Sequence, residues 1–184
     1  MIIKDIAQEV FSAAVYPGDP APGYERIKSM EQGDVCNLTR FFMCAHNGTH
    51  VDAPAHFVRD GKTVDEMDLK SLVGKAWVME GGDGWECRIP QGAERVLVRG
   101  YEDVTLPQAE ELLRRGVRLI GTETQKMGDA DVHRLLLGHG VVLLEGVRLQ
   151  DVPDGEAFLC AQPLNLGGAE GAPCRPILIY EEQE

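Results

Sequence analysis

Six residues in phase constrain this chain more than any other feature. His46, Gly48, His50, Asp52, Pro54 and His56 all fall on even positions, and three of the chain's five histidines are among them. A pleated strand would turn all six to one face. A straight strand would nevertheless hold His46 and His50 about 13 Å apart, at ~3.3 Å per residue. Two imidazoles sharing one zinc ion need bonds of about 2.0–2.1 Å each, so the backbone has to curl between them. Gly48 can take the positive φ of such a bend, and Pro54 stiffens the exit. A helical His-Glu-x-x-His site does not fit, because Asn47 stands at the glutamate position and Gly48, Thr49 and Val51 are poor helix formers. The groups belong to a strand end and the loop after it. Imidazole with carboxylate suits a borderline or hard divalent cation, and the chemistry expected there is hydrolysis. The alternative is a polar loop, and four candidate ligands recurring in phase weigh against it.

The 184 residues are expected to form one compact domain, 1–184. Thirty acidic against eighteen basic residues give a net charge of −12. That balance speaks against nucleic acid or an anionic membrane as partner, since both call for a basic face. It leaves a small-molecule substrate open. The N-terminal residues lack a long apolar signal core, and no apolar run is long enough to span a bilayer. The cysteines are odd in number and form no Cys-x-x-Cys pair, which fits reduced thiols and a cytoplasmic location. Cys44 precedes His46 by two residues and reads as a small apolar strand residue.

Strand-like runs cover residues 10–16, 37–45, 72–80, 95–99, 117–122, 141–147, 157–161 and 176–180. Thr105-Leu106-Pro107-Gln108 reads as a capping box that opens a helix to Arg115, and residues 129–137 read as a second helix stopped by Gly138. Strands outnumber helices, so an α/β chain with a mixed sheet and packed helices is expected. Glu145 directly follows the buried-strand pattern of residues 141–144, where a carboxylate needs a partner or a cation. Arg148 is one such partner by sequence. His133, on the second helix, is unremarkable alone.

The motif His46-x-Gly48-Thr49-His50-x-Asp52-x-Pro54-x-His56 resembles the signature of the cyclase-like metal-dependent hydrolases, a family that includes bacterial kynurenine formamidase and isatin hydrolase. Tyr16-Pro17-Gly18-Asp19-Pro20 resembles the family's N-terminal aromatic-Pro-Gly-Asp turn. Asp60-Gly61-Lys62-Thr63-Val64-Asp65 resembles the segment after the motif. Leu143-Leu144-Glu145-Gly146-Val147, Pro163-Leu164-Asn165-Leu166 and Gly171-Ala172-Pro173-Cys174-Arg175 resemble its C-terminal blocks. The blocks are collinear over nearly the whole chain. The resemblance implies a swivelling β/β/α fold around a barrel-like mixed sheet, and a homodimer or homotetramer.

It also implies a second ligand pair, a helical histidine followed twelve residues later by a glutamate; His133 and Glu145 match that spacing. On this reading His46, His50 and Asp52 hold one divalent metal, zinc or manganese, and His133 holds a second. Asp52 and Glu145 bridge the two. His139 sits at the wrong offset from Glu145 and is left to cap its helix. His56 is the expected general acid/base, for imidazole titrates in the working range and the matching family histidine is not a ligand. The reaction so implied is attack of a metal hydroxide on a small amide, arylformamidase-like, with N-formylkynurenine the nearest family substrate.

Ring opening of a cyclic amide or lactone needs the same ligands. A non-catalytic metal-dependent binding protein is the reading from another class, and the intact ligand set weighs against it. Tyr16, Phe41 and Gln125 are expected to contact the substrate. Tyr16 stands where formamidases carry a tryptophan, and the loop 121–128 lacks their Asp and Ser, so the substrate is less fixed than the reaction class.

Overall fold

Apolar residues of the central strands alternate between two cores. Val96, Val98, Ile120 and Leu143 face one; Leu97, Leu119, Val142 and Leu144 face the other. Such alternation is what a sheet buried on both sides requires. A computed structural model describes residues 1–101 and 103–181. Its strands are β1 (Ile2–Asp5), β2 (Gly23–Lys28), β3 (Leu38–Phe42), β4 (His50–Asp52), β5 (Val73–Glu80), β6 (Arg95–Arg99), β7 (Leu119–Thr122), β8 (Val142–Glu145), β9 (Gly155–Cys160), β10 (Gly171–Pro173) and β11 (Ile177–Tyr180). The helices are α1 (Leu69–Leu72), α2 (Leu106–Arg114) and α3 (Ala130–Gly138).

Nine strands form one mixed, curled half-barrel sheet in the order β1-β11-β9-β5-β6-β7-β8-β4-β10. β5 to β8 run parallel, linked through α2 and α3, and the strands on either flank are antiparallel. The core on the helix side gathers Trp85, Leu112, Met127 and Leu136, while the other gathers Ile6, Val51, Leu72, Leu159 and Leu178. α2 begins with the expected capping box, the Thr105 N–H donating to Gln108 Oε1 at 2.9 Å. α3 begins with Asp129, whose carboxylate accepts from the amides of Asp131 and Val132, both at 3.0 Å.

β2 and β3 form a separate two-stranded ribbon. Residues 10–16, expected as a strand, turn instead. The Glu9 carboxylate accepts from the amides of Phe11 and Ser12 at 3.1 and 2.8 Å, and the Ala13 N–H closes onto Glu9 O at 2.9 Å. A local acceptor has taken amides that a ladder would have used. None of the helices among the described residues is long and apolar enough to cross a membrane.

Candidate metal centre

Strand pairing brings the first two site residues together. In the antiparallel β4–β8 register His50 lies opposite Glu145, and Val51 opposite Leu144. His50 and Glu145 therefore project from one face and Val51 and Leu144 from the other, into the core. Asp52, two residues beyond His50, shares the site face. α3 packs over the same side and contributes His133, and the turn before β4 contributes His46.

That turn curls as the motif requires. Gly48 has φ +65°, and its carbonyl accepts from His50 Nδ1 at 3.0 Å. The Asn47 carboxamide oxygen accepts from the Cys44 N–H at 2.8 Å, and the Thr49 hydroxyl donates to Gly146 O at 2.7 Å, pinning the turn to the end of β8. Opposite His46, β10 has to be bare: a Cβ on Gly171 would lie 2.5 Å from His46 Cε1. The result brings His46 and His50 to a ring separation of 4.9 Å, edge to face.

Ligand-capable atoms of His46, His50 and Asp52 lie within 4.8 Å of one another, and so do those of Asp52, His133 and Glu145. Asp52 belongs to both groups. Glu145 turns Oε2 towards His50 Nε2 and Oε1 towards His133 Nε2, each at 3.5 Å, and Oε1 also accepts from the Met127 N–H at 2.8 Å. Asp52 Oδ1 lies 2.9 Å from His46 Nδ1 and 3.4 Å from His50 Nε2.

These residues fit a divalent cation on three counts. A carbonyl can only accept, so His50 Nδ1 donates to Gly48 O and His133 Nδ1 donates to Asp129 O at 2.8 Å; both Nε2 atoms are left facing the carboxylates. Asp52 Oδ2 and His46 Nε2 are buried without a hydrogen-bond partner. Asp52 and Glu145 are only 1% and 2% exposed, and no arginine or lysine of the described residues pairs with either, Arg148 included. Two anions so placed call for positive charge.

The protonation equilibria reflect this. Burial alone depresses the His50 imidazole, but hydrogen bonds and charge from Asp52 and Glu145 outweigh it and raise its pKa to about 10. The same contest raises His133, with Glu145 and the Asp129 carbonyl on the winning side. Burial raises Asp52 and Glu145, yet both end lowered, Asp52 by His46 and His50, Glu145 by His133 and His50. A proton on His50 thus occupies the place where the donor set would accept a cation.

His56 lies in the 3-10 turn Pro54–His56 after β4. Its ring stacks on His46 at 4.1 Å, and its Nε2 is 3.9 Å from Asp52 Oδ2, too far for a hydrogen bond. Burial lowers its pKa. Above these groups opens a cavity of about 390 Å³, with Tyr16, Phe57, Gln125 and Lys126 in its walls. Phe57 packs against His56 and His133 at 4.5 and 4.6 Å.

Of the residues expected from the sequence, His46, His50, Asp52, His56, His133, Glu145, Tyr16 and Gln125 meet here. Phe41 does not. It lies on the β2–β3 ribbon and lines another hollow with Val10, Phe11, Met43 and Leu164. Glu123 is absent from the wall because its carboxylate accepts from the amides of Gly100 and Leu149. His139 donates from Nδ1 to Leu135 O at 2.8 Å, capping α3. Sequence reasoning missed Phe57, Lys126 and Glu170, the last 3.4 Å from His46 Nε2. Only the position of Phe57 directly after the motif could have signalled it.

The putative cyclase family matches residues 5–87. The kynurenine formamidase of Erythrobacter litoralis is 34% identical over 200 residues, covering 96% of this chain and 93% of that one. The chain belongs to the cyclase-like family of metal-dependent hydrolases. Solved structures agree. A potential metal-dependent hydrolase with cyclase activity superimposes with a TM-score of 0.83 at 28% identity, covering 99% of both chains. Isatin hydrolase A from Labrenzia aggregata, bound to benzyl benzoate, gives 0.82 at 25% identity, covering 98% of this cyclase-family chain and 94% of that enzyme.

Proposed function

We propose that this chain is a metal-dependent amidohydrolase of the arylformamidase kind, acting on the C–N bond of a small aryl formamide such as N-formylkynurenine. The observation that carries the reading is the convergence of two buried carboxylates and three imidazoles at the floor of a cavity whose wall holds one further, unbonded histidine. His46, His50 and Asp52 would hold one zinc or manganese ion and His133 a second, with Asp52 and Glu145 shared by both. A cation bound there lowers the pKa of water and polarises a carbonyl oxygen.

The chain's own groups do the rest. His56, with its pKa lowered by burial, is mostly unprotonated at neutral pH and can take a proton from the attacking water. It returns that proton to the leaving nitrogen as the C–N bond breaks, so that formate and a free arylamine depart. Phe57, packed on His56 and His133, keeps bulk water from that side of the site.

Ring opening of a cyclic amide is a second reading, favoured by the fit to an isatin hydrolase along 98% of this chain. Protein reconstituted with zinc or manganese, beside a chelated control, should release kynurenine from N-formylkynurenine. Turnover of isatin alone would transfer the assignment to ring opening, and metal-replete protein inert on both would refute the arylformamidase reading.

The enzyme is also proposed to act in the cytoplasm as a homodimer or homotetramer. Among the described residues the β2–β3 ribbon pairs only with itself, and it exposes Tyr24, Phe41 and Phe42 at 59%, 54% and 59%. A lone two-stranded ribbon is marginally stable, and an exposed apolar patch of this kind marks an interface. Its strands carry Arg26, Lys28 and Arg40 against Glu25, in a chain of net charge −12, so the acidic body of a second copy complements it. Phe42→Asp should shift the mass measured by light scattering to that of one chain; an unchanged mass would place the interface elsewhere.

A further inference from the structure

The cavity has two chemically different ends. Its floor is the cluster of imidazoles and carboxylates. Its wall beyond them includes Tyr16, Gln125 and Lys126, and these three also line an adjoining hollow that leads outward past Pro17 and Asp103. Two unspent donors stand in that wall. Gln125 Nε2 is buried without a hydrogen-bond partner. A buried amide donor left unbonded in the free protein forfeits a bond that a ligand acceptor can restore. The Lys126 ammonium makes no hydrogen bond or close ion pair among the described residues; its backbone carbonyl accepts from the Thr124 hydroxyl at 3.0 Å, and its charge acts on the Asp129 carboxylate. The Asp129 carboxylate, beside it in the wall, already accepts from two amides at the start of α3. Asp19 is the other carboxylate of the wall.

We propose that Gln125 and Lys126 form an anion subsite that recognises a carboxylate carried by the substrate away from the bond to be cleaved. The proposal rests on the hydrolase reading of the metal floor and narrows its substrate class. Among small aryl amides it selects those with an acidic side arm, and it selects them against the repulsion of a strongly acidic protein. Gln125 offers a neutral, directional donor in a water-poor position; Lys126 offers charge near the mouth, where it also draws an anion inwards. The two come from consecutive residues of the loop between β7 and α3, so one loop conformation places both.

The test uses metal-loaded protein and a set of aryl hydroxamates, whose hydroxamate anchors on the metal in every case. The far end carries a carboxylate, a carboxamide or an ammonium group, and dissociation constants are read by calorimetry. A hydrogen bond to a charged group contributes enough that wild-type protein should prefer the carboxylate to the carboxamide by about tenfold. In Lys126→Met that ratio should collapse towards one, and Lys126→Arg should restore most of it. Gln125→Leu should weaken carboxylate and carboxamide together, because both ends present an acceptor. Equal wild-type affinities, or a ratio that survives Lys126→Met, would overturn the proposal. So would preference for the ammonium, which would hand the wall to Asp19. Because these ligands report binding and not turnover, a carboxylate preference in a protein that leaves aryl formamides intact would uphold the subsite and discard the arylformamidase reading.

Discussion

Glu145→Gln separates a bridging ligand from a structural carboxylate. Glutamine keeps the shape, and its carboxamide oxygen can still accept the Met127 N–H that Glu145 Oε1 accepts at 2.8 Å. The fold therefore keeps its buried hydrogen bond. What disappears is one negative charge facing His50 Nε2 and His133 Nε2, each at 3.5 Å. Changes one shell outside a metal cost about 10–100-fold in affinity, so loss of an anionic ligand should cost at least about 100-fold, or ~2.8 kcal/mol. Coulomb attraction between unit charges about 4 Å apart, at an effective dielectric of about 20, gives ~4 kcal/mol, or roughly 1,000-fold, as the other bracket. Equilibrium dialysis against buffered free zinc, with bound metal measured by mass spectrometry, should show both sites weakened, by about that factor. The metal-free variant should melt cooperatively, and its His50 should titrate below the value of about 10 set by two carboxylates. Binding of both metals within threefold of wild type would refute the bridging role and leave Glu145 as the anchor of Met127.

Three further outcomes follow from the same geometry. His56→Ala should retain its metal and lose about 10²–10⁴-fold in kcat; loss of metal on dialysis would move His56 into the ligand set. Raised His50 and His133 contribute stability to the metal-free protein that is complete below the unfolded value of 6.5, and the His50 part is lost as pH climbs through about 10. Lowered Asp52 and Glu145 contribute stability above their unfolded values of 3.8 and 4.5 that is lost on acidification. The metal-free melting temperature should therefore peak between those ranges and fall towards pH 10, while zinc uptake near neutrality releases protons; a melting temperature rising steadily from pH 6.5 to 10 would contradict the assignment. Gly171→Ala puts a methyl 2.5 Å from His46 Cε1 and should cost about 1–3 kcal/mol in stability and weaken zinc binding; combining it with His46→Ala should recover most of the stability, and simple additivity would show that the clash lies elsewhere.

What the sequence disclosed depended on whether the signal was local. β6 was readable because the β-branched and apolar residues 96–98, flanked by two arginines, lie between turn residues, and α2 because Thr105 and Gln108 form a capping box. The curl at Gly48 followed from the spacing of two histidines. β4 was not readable as a strand. It has three residues, two of them proposed ligands, and exists because it pairs with β8, some ninety residues away. Residues 10–16 have strand composition, and Glu9 overrides it. His133 and Glu145 needed the family resemblance, since a histidine on a helix is ordinary and the carboxylate of Glu145 had Arg148 as an alternative partner by sequence. Phe41 precedes the motif by five residues, yet it sits on the ribbon and lines a different hollow, which sequence separation does not reveal. Lys126 could not have been singled out, because its place in the cavity wall is a fact of three dimensions.

The site's position in the sheet explains why so short a strand can hold ligands in place. β8 is parallel to β7 on one side and antiparallel to β4 on the other, and Glu145 stands at its carboxyl end, where open α/β sheets place their ligands. The β4–β8 register is fixed from behind: Val51 and Leu144 are both fully buried in the opposite core, between the residues that face the metal floor. A slip of one residue would turn His50 and Asp52 into that core and Val51 towards the cavity. The apolar partner of each ligand thus sets the ligand's direction. Val51→Ala tests this, since it touches no ligand yet removes two methyl groups from the core, at about 2–3 kcal/mol with the cavity it leaves. A melting temperature lowered together with zinc affinity would show that the core holds the register. A lowered melting temperature with unchanged zinc affinity would show that the ligands hold it themselves.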